Sequence, residues 1–283
     1  MKQIISVFRL IRFHNCLIAA IGTWLGGYLA GVEPESARLM AAMISVALLC
    51  AAGNAQNDFF DLEADRINNP KRILPNGDLP LYMAVLLSIV FYLSGLALAV
   101  WIGWAAAIFS IIAIILLNVY NMKFMKMPIW GNLIVAMMGG LVIMFGTAAG
   151  EYARMFIIPG AVIPALFAVL FHFGREIIKD LGDIEGDKKA GYKVITDTMG
   201  GKSSLLIISI TFTALIFVTF LPLYYKWYGP FYGYIAFLAV DLPLAITIVY
   251  LWRSVNPLKY KKSAGIIKIL MFLGLIAFFL GKF

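Results

Sequence analysis

The chain has 283 residues, 62% of them hydrophobic and 13% charged, with a mean hydropathy of +0.91. That composition excludes a soluble core and fits one polytopic membrane domain spanning 1–283. The net charge of +8 raises nucleic acid as a partner, but the basic residues fall in short loops between apolar segments. A membrane sets that pattern and nucleic acid does not.

Taken in chain order, the apolar segments predict an all-α protein with about nine transmembrane helices. They are placed at about 10–31, 38–57, 79–101, 104–121, 130–149, 155–178, 202–222, 230–251 and 263–281. Pro159, Pro164 and Pro243 fall inside these segments and are expected to kink them. Cys16 and Cys50 lie in apolar helices, so neither a disulfide framework nor a thiol-metal site is expected. The first apolar segment runs into further membrane segments without a cleavage site, so no secretory signal is expected. With the N-terminus in the cytoplasm, 19 of the 23 Lys and Arg residues fall inside, leaving Arg38, Arg154, Lys226 and Lys282 outside. This fixes the expected topology: a multi-pass protein of the cell membrane, N-terminus inward.

An internal duplication organises the segments. Asp58, Asp61 and Asp65 recur as Asp180, Asp183 and Asp187, each 122 residues later and with unchanged spacing. Asn15-Cys-Leu-Ile-Ala-Ala-Ile-Gly likewise resembles Asn132-Leu-Ile-Val-Ala-Met-Met-Gly. The expectation is two pseudo-repeated four-helix halves, roughly 1–126 and 127–255, plus an extra helix at 263–281 around a central cavity. Both acidic strings then face that cavity from the cytoplasmic side.

Steps of three and four residues put each string's carboxylates on one helix face. Carboxylates about 4 Å apart repel by roughly 4 kcal/mol at an effective dielectric of 20, so such a cluster asks for a divalent cation. Oxygen ligands without His or Cys favour Mg²⁺ over Zn²⁺, with substrate phosphate completing the shell. Two ions would still leave the site negative once a diphosphate is present. Nearby cations are therefore candidates for binding it: Arg66 and Arg72 after the first string, Lys179 beside the second, and Lys123 and Lys126 between the halves. Asn54 and Asn57 extend the first polar stripe toward the membrane interior, where polar side chains usually face a cavity. His14 and His172 stand outside both strings and are expected to be packed or interfacial histidines rather than ligands.

The run Asn57-Asp58-Phe-Phe-Asp61-Leu-Glu-Ala-Asp65-Arg66-Ile-Asn68-Asn-Pro70-Lys-Arg72 resembles the first signature of the UbiA superfamily of intramembrane prenyltransferases. Arg175-Glu176-Ile-Ile-Lys179-Asp180-Leu-Gly-Asp183-Ile-Glu-Gly186-Asp187 resembles its second. The wording of both motifs is most similar to the archaeal branch that makes the second ether bond of isoprenoid glycerol lipids. The resemblance implies Mg²⁺-dependent transfer of a geranylgeranyl group from its diphosphate to the hydroxyl of geranylgeranylglyceryl phosphate. It also implies that the six aspartates hold the metal, with Asp58, Asp61, Asp180 and Asp183 central to catalysis. Asn57 would complete the first motif and Asn15 would line the pocket. The family's Tyr-x-x-x-Lys element corresponds to Tyr120 here. Lys123 falls one residue early and Lys126 two late, and Lys123 is favoured. Partners would then be a prenyl diphosphate, a lipid-phosphate acceptor and membrane lipid, with no obligate protein partner.

Two other readings stay open. Transfer to an aromatic acceptor in quinone biosynthesis would follow the same chemistry up to the carbocation. An ion-coupled transporter would need acids near mid-membrane, where Asp241 is the one candidate.

Overall fold

A computed structural model describes residues 2–124, 127–189, 191, 193–253 and 256–282. All of its regular elements are helical. Helix α1 (Lys2–Leu10) meets α2 (Phe13–Leu29) at a 51° bend. The bend sits at Arg12, whose φ of 50° is left-handed and uncommon outside glycine. It releases the Ile11 carbonyl, which accepts a hydrogen bond from Asn54 Nδ2 on the next helix at 2.8 Å. A broken helix survives at this depth because a neighbour takes the freed backbone group.

Next come α3 (Ala37–Phe60), α4 (Leu62–Asn68), α5 (Leu81–Ile102) and α6 (Trp104–Met122). The second half holds α7 (Trp130–Thr147), α8 (Val162–Lys189), α9 (Ile195–Met199) and α10 (Gly201–Tyr224). Then α11 (Pro230–Ile235) runs through a π turn at Ala236–Asp241 into α12 (Leu242–Trp252), and α13 (Pro257–Gly281) ends the chain. Ser36 starts α3 by accepting from the Leu39 amide at 3.3 Å.

Seven of these helices are long and apolar enough to cross a membrane, counting α11 to α12 as one, and the bent α1–α2 pair makes eight. The difference from nine is α8. It starts at Val162 and not near 155, and Arg175, Glu176 and Lys179 fall within its first eighteen residues. Pro159 lies in the turn before α8 rather than inside a helix, and Pro164 sits in the first turn of α8, where proline is tolerated. Pro243 follows the π turn as the second residue of α12.

The two leading helices of the halves, α2 and α7, meet backbone to backbone. A Cβ on Gly26 would lie 1.9 Å from the Ile143 carbonyl oxygen, and one on Gly146 would lie 1.9 Å from that of Thr23. Thr23 Oγ1 adds a hydrogen bond to the Val142 carbonyl at 2.9 Å. Each leading helix also packs on its own acid-bearing helix, α2 on α3 and α7 on α8. Small side chains such as Ala42, Ala52 and Ala99 let α3 and α5 approach, and Ser45 bonds the Gly95 carbonyl at 2.7 Å. Larger buried residues (Phe171, Phe212, Tyr232 and Phe278) fill the second half against α13.

Gly26→Ala and Gly146→Ala should each lower the thermal midpoint in detergent, since overpacking of this kind costs about 1–3 kcal/mol. An unchanged midpoint in both would mean that the α2–α7 contact does not hold the halves together.

Candidate active site

The first string straddles a break: α3 ends at Phe60, Asp61 is the joint, and α4 carries Asp65. Backbone bonds from Asp61 to Asn57 and from Asp65 to Asp61, both 2.8 Å, keep the three carboxylates close to one face. The second string lies wholly within α8. The halves join through Asn68 of α4, whose Nδ2 donates to Asp187 Oδ1 at 3.0 Å. Gly186 makes room for it, since a Cβ there would fall 1.5 Å from Asn68 Oδ1.

Every aspartate of the two strings has a partner. Arg12 pairs with Asp58, and Arg72 pairs with Asp65 while reaching Asp58 at 3.5 Å. Asn57 donates to Asp61 at 3.1 Å and Asn132 to Asp180 at 2.8 Å. Lys261 from α13 lies 2.8 Å from Asp183. Asp58 and Asp65 are buried. Burial, with the Asp65 charge adding to it, holds the Asp61 carboxyl above the usual carboxylate range, against the pull of Lys179 and Arg72. At the end of α8, burial and then the neighbouring Asp183 push Asp187 up to about 6, and the charge of Asp61 adds to the rise. The two strings therefore sense each other's charge.

A cavity of about 550 Å³ opens beside this charge cluster. None of the six aspartates is among its lining residues. Asn57 and Lys179 do line it, and they are the immediate neighbours of Asp58 and Asp180. Arg72, Asn15, Asn54 and Tyr120 also form its wall, and its deeper part is apolar, with Phe167, Phe171 and Phe278. His172 lines it too, packed on Gly139. A second cavity, about 460 Å³, reaches Asp58 from the other side and is walled by Arg9, Arg12, Lys71 and Arg72.

Several expected residues lie elsewhere. Arg66 is exposed, pairs with Glu63 at 2.7 Å and lines neither cavity. Lys123 is exposed at the end of α6, its ammonium 5.7 Å from the Phe124 ring, and lines neither cavity. Lys126 lies outside the described residues. Asn54 faces the cavity, but its amide is committed to the Ile11 carbonyl. Asp241 is bonded by Thr219 Oγ1 at 2.8 Å and sits in packing, away from both strings. The sequence reading missed Arg12 and Lys261, both counted only as inward-facing charge. It also missed the polar lattice behind Asn57, where Asn121 and Tyr92 both donate to Gln56 Oε1, at 2.9 and 2.8 Å.

The donor set at the strings is oxygen alone, which suits a hard cation. Among the described residues no three His, Cys, Asp or Glu side chains gather closely enough to share one metal ion. That fits a cation held by one or two carboxylates and completed by phosphate, the usual arrangement for Mg²⁺.

Gly186→Ala should displace Asn68 and loosen α4 from α8. Limited proteolysis within 61–80 should then speed up several-fold while the thermal midpoint of the helices holds. Unaltered cleavage would mean that the Asn68–Asp187 bond does not anchor the segment.

The sequence pattern of the UbiA prenyltransferase family matches residues 19–276. The digeranylgeranylglyceryl phosphate synthase of Pyrococcus horikoshii is 34% identical over 274 residues, covering 96% of this chain and 95% of that protein. A solved structure concerning digeranylgeranylglyceryl phosphate synthase in membranes superposes with a TM-score of 0.78 at 31% identity, covering 100% of this chain and 99% of the other. A UbiA homologue from Archaeoglobus fulgidus bound to GPP and Mg²⁺ has a TM-score of 0.59 at 17% identity, covering 96% of this chain and 99% of the other. That last likeness is one of fold.

Proposed function

The chain belongs to the UbiA prenyltransferase family, and we propose that it moves a geranylgeranyl group from geranylgeranyl diphosphate to the glycerol hydroxyl of geranylgeranylglyceryl phosphate. The observation that carries this reading is the near full-length similarity to digeranylgeranylglyceryl phosphate synthase of a chain whose two aspartate strings meet beside an apolar cavity. The site faces the cytoplasm, by the inward bias of Lys and Arg. Two Mg²⁺ ions fit the reading.

Asp58, Asp61 and Asp65, with Asp180, Asp183 and Asp187, would hold the Mg²⁺, which when bound supplies Lewis-acid charge to the leaving diphosphate. Arg72 and Lys179, both on the cavity wall, bind the diphosphate oxygens and stabilise the charge that develops as the allylic C–O bond breaks. Arg66 and Lys123 are left out of this role by their exposure. Tyr120 and Asn57 border the cavity where the carbocation forms. The deep apolar wall holds the isoprenoid tail and keeps water from the cation. The acceptor's hydroxyl oxygen then forms the new C–O bond, losing its proton to a carboxylate or to the departing diphosphate.

Purified protein given labelled geranylgeranyl diphosphate and geranylgeranylglyceryl phosphate should make the diether. Product only with an aromatic acceptor would overturn the substrate assignment. Asp58→Ala and Asp183→Ala should each cut turnover roughly a hundred- to a thousandfold, of the order lost with an electrostatic stabiliser, while the helical circular-dichroism signal stays. Near-normal turnover in either variant would remove its carboxylate from the metal site. Chelation should stop the reaction and added Mg²⁺ should restore it.

A further inference from the structure

Most cations on the cavity wall already have acidic partners. Arg12 is paired with Asp58, Arg72 with Asp58 and Asp65, and Arg175 and Lys179 with Glu176. Lys268 of α13 is different. It lines the same cavity, yet no carboxylate among the described residues pairs with it, and its Nζ donates to the neutral Asn15 Oδ1 at 2.6 Å. Lys268 stands seven residues beyond Lys261, the partner of Asp183, and so about 10 Å deeper along the helix. Arg175 reaches a similar depth on α8, eight residues before Asp183, and its Nε donates to the Ala264 carbonyl of α13 at 3.3 Å. A half-buried ammonium this deep, with cations as neighbours and no counter-ion, is costly unless an anion arrives.

We infer that Lys268, with Asn15 beside it, binds the phosphate monoester of the acceptor lipid. The inference rests on the function proposed above. The donor's diphosphate belongs with the aspartates, so the carbon that is attacked lies on the tail side of them, deeper in the cavity. The acceptor's phosphate is joined to its reacting hydroxyl by a short glycerol bridge, so it stays close to that hydroxyl, and a cation just below the aspartates is placed to meet it. The exposed cations Arg66 and Lys123 are at the wrong place for this, Arg72 is taken by the diphosphate in the reading above, and Arg12 lies at the level of Asp58 rather than below the aspartates. Lys268 supplies a positive charge at the required depth, with an apolar wall beyond it for the acceptor's chain. Asn15 orients the ammonium toward the cavity.

The test is steady-state kinetics in detergent with Lys268→Met, Lys268→Gln and Lys268→Arg. The acceptors are geranylgeranylglyceryl phosphate and the same lipid without its phosphate. Met and Gln should raise the KM for the phosphorylated acceptor roughly ten- to a hundredfold, the usual worth of a charge-assisted hydrogen bond, and leave the KM for the diphosphate donor in place. With the phosphate-free acceptor the wild-type-to-variant ratio should fall to near one, and Arg should recover most of the loss. A raised donor KM would assign Lys268 to the diphosphate instead. Equal losses with both acceptors would make it structural, and either result overturns the inference. A wild-type protein that ignores the phosphorylated acceptor would refute the function reading itself.

Discussion

Crowded negative charge at the edge of an apolar bundle is the constraint on which the rest of the structure depends. Carboxylates about 4 Å apart repel by roughly 4 kcal/mol at an effective dielectric of 20. The chain answers by drawing a partner for each but Asp61 from another part of the fold. Arg12 comes from the α1–α2 bend, Arg72 from the segment after α4, Asn132 from α7 and Lys261 from α13. The charges thereby fix how these elements meet. They also tie structure to the proposed reaction: the cations that now neutralise the acids are those a diphosphate needs once metal takes the carboxylates.

Much of the fold was legible because the contrast between apolar and polar segments is strong. The expected spans at 79–101, 104–121 and 202–222 match α5, α6 and α10 to within two residues at each end. The departures have physical causes. An acidic face reads as the end of a span, yet α8 continues as a helix through Asp180, Asp183 and Asp187 to Lys189, so its apolar part was placed too early. The bend at Arg12 has no sequence signature, because it depends on Asn54 from another helix accommodating the freed carbonyl. The π turn ahead of Pro243 is hidden within a run that is apolar but for Asp241.

The acidic pattern could be read from the sequence, and the cations only in part: Arg72 and Lys179 line the cavity, Arg66 and Lys123 do not. Spacing of three and four residues carries the acidic pattern in local geometry alone, so it can be read without the fold. Whether a given Lys or Arg points inward is decided by tertiary contacts. Arg66 and Arg72 are six positions apart in one polar segment, Arg66 in the last turn of α4 and Arg72 beyond it, yet Arg66 pairs with Glu63 at the surface while Arg72 turns back to Asp65. Lys123 sits in the loop where the resemblance placed a diphosphate lysine, but it is Lys179 that lines the cavity. Lys268 had one available signal, as an isolated cation within the apolar stretch of the last helix.

The two acidic strings share one spacing but are held differently at the site itself. In the second half Asn132 bonds Asp180, whereas its counterpart Asn15 turns to Lys268 and leaves Asp58 to Arg12. The bend at Arg12 accounts for this. It leaves α1 at an angle, with Ile4, Ile5 and Phe8 exposed on a face suited to lie along a membrane, and it brings the guanidinium under Asp58. The first string is thus held by two arginines, while in the second Asp180 and Asp187 are bonded by neutral amides. A cation approaching Asp180 or Asp187 displaces an amide. At Asp58 or Asp65 it must displace a charge-assisted pair, roughly twice as strong. The strings match in spacing, and the bend makes them unequal in what an approaching cation has to push aside.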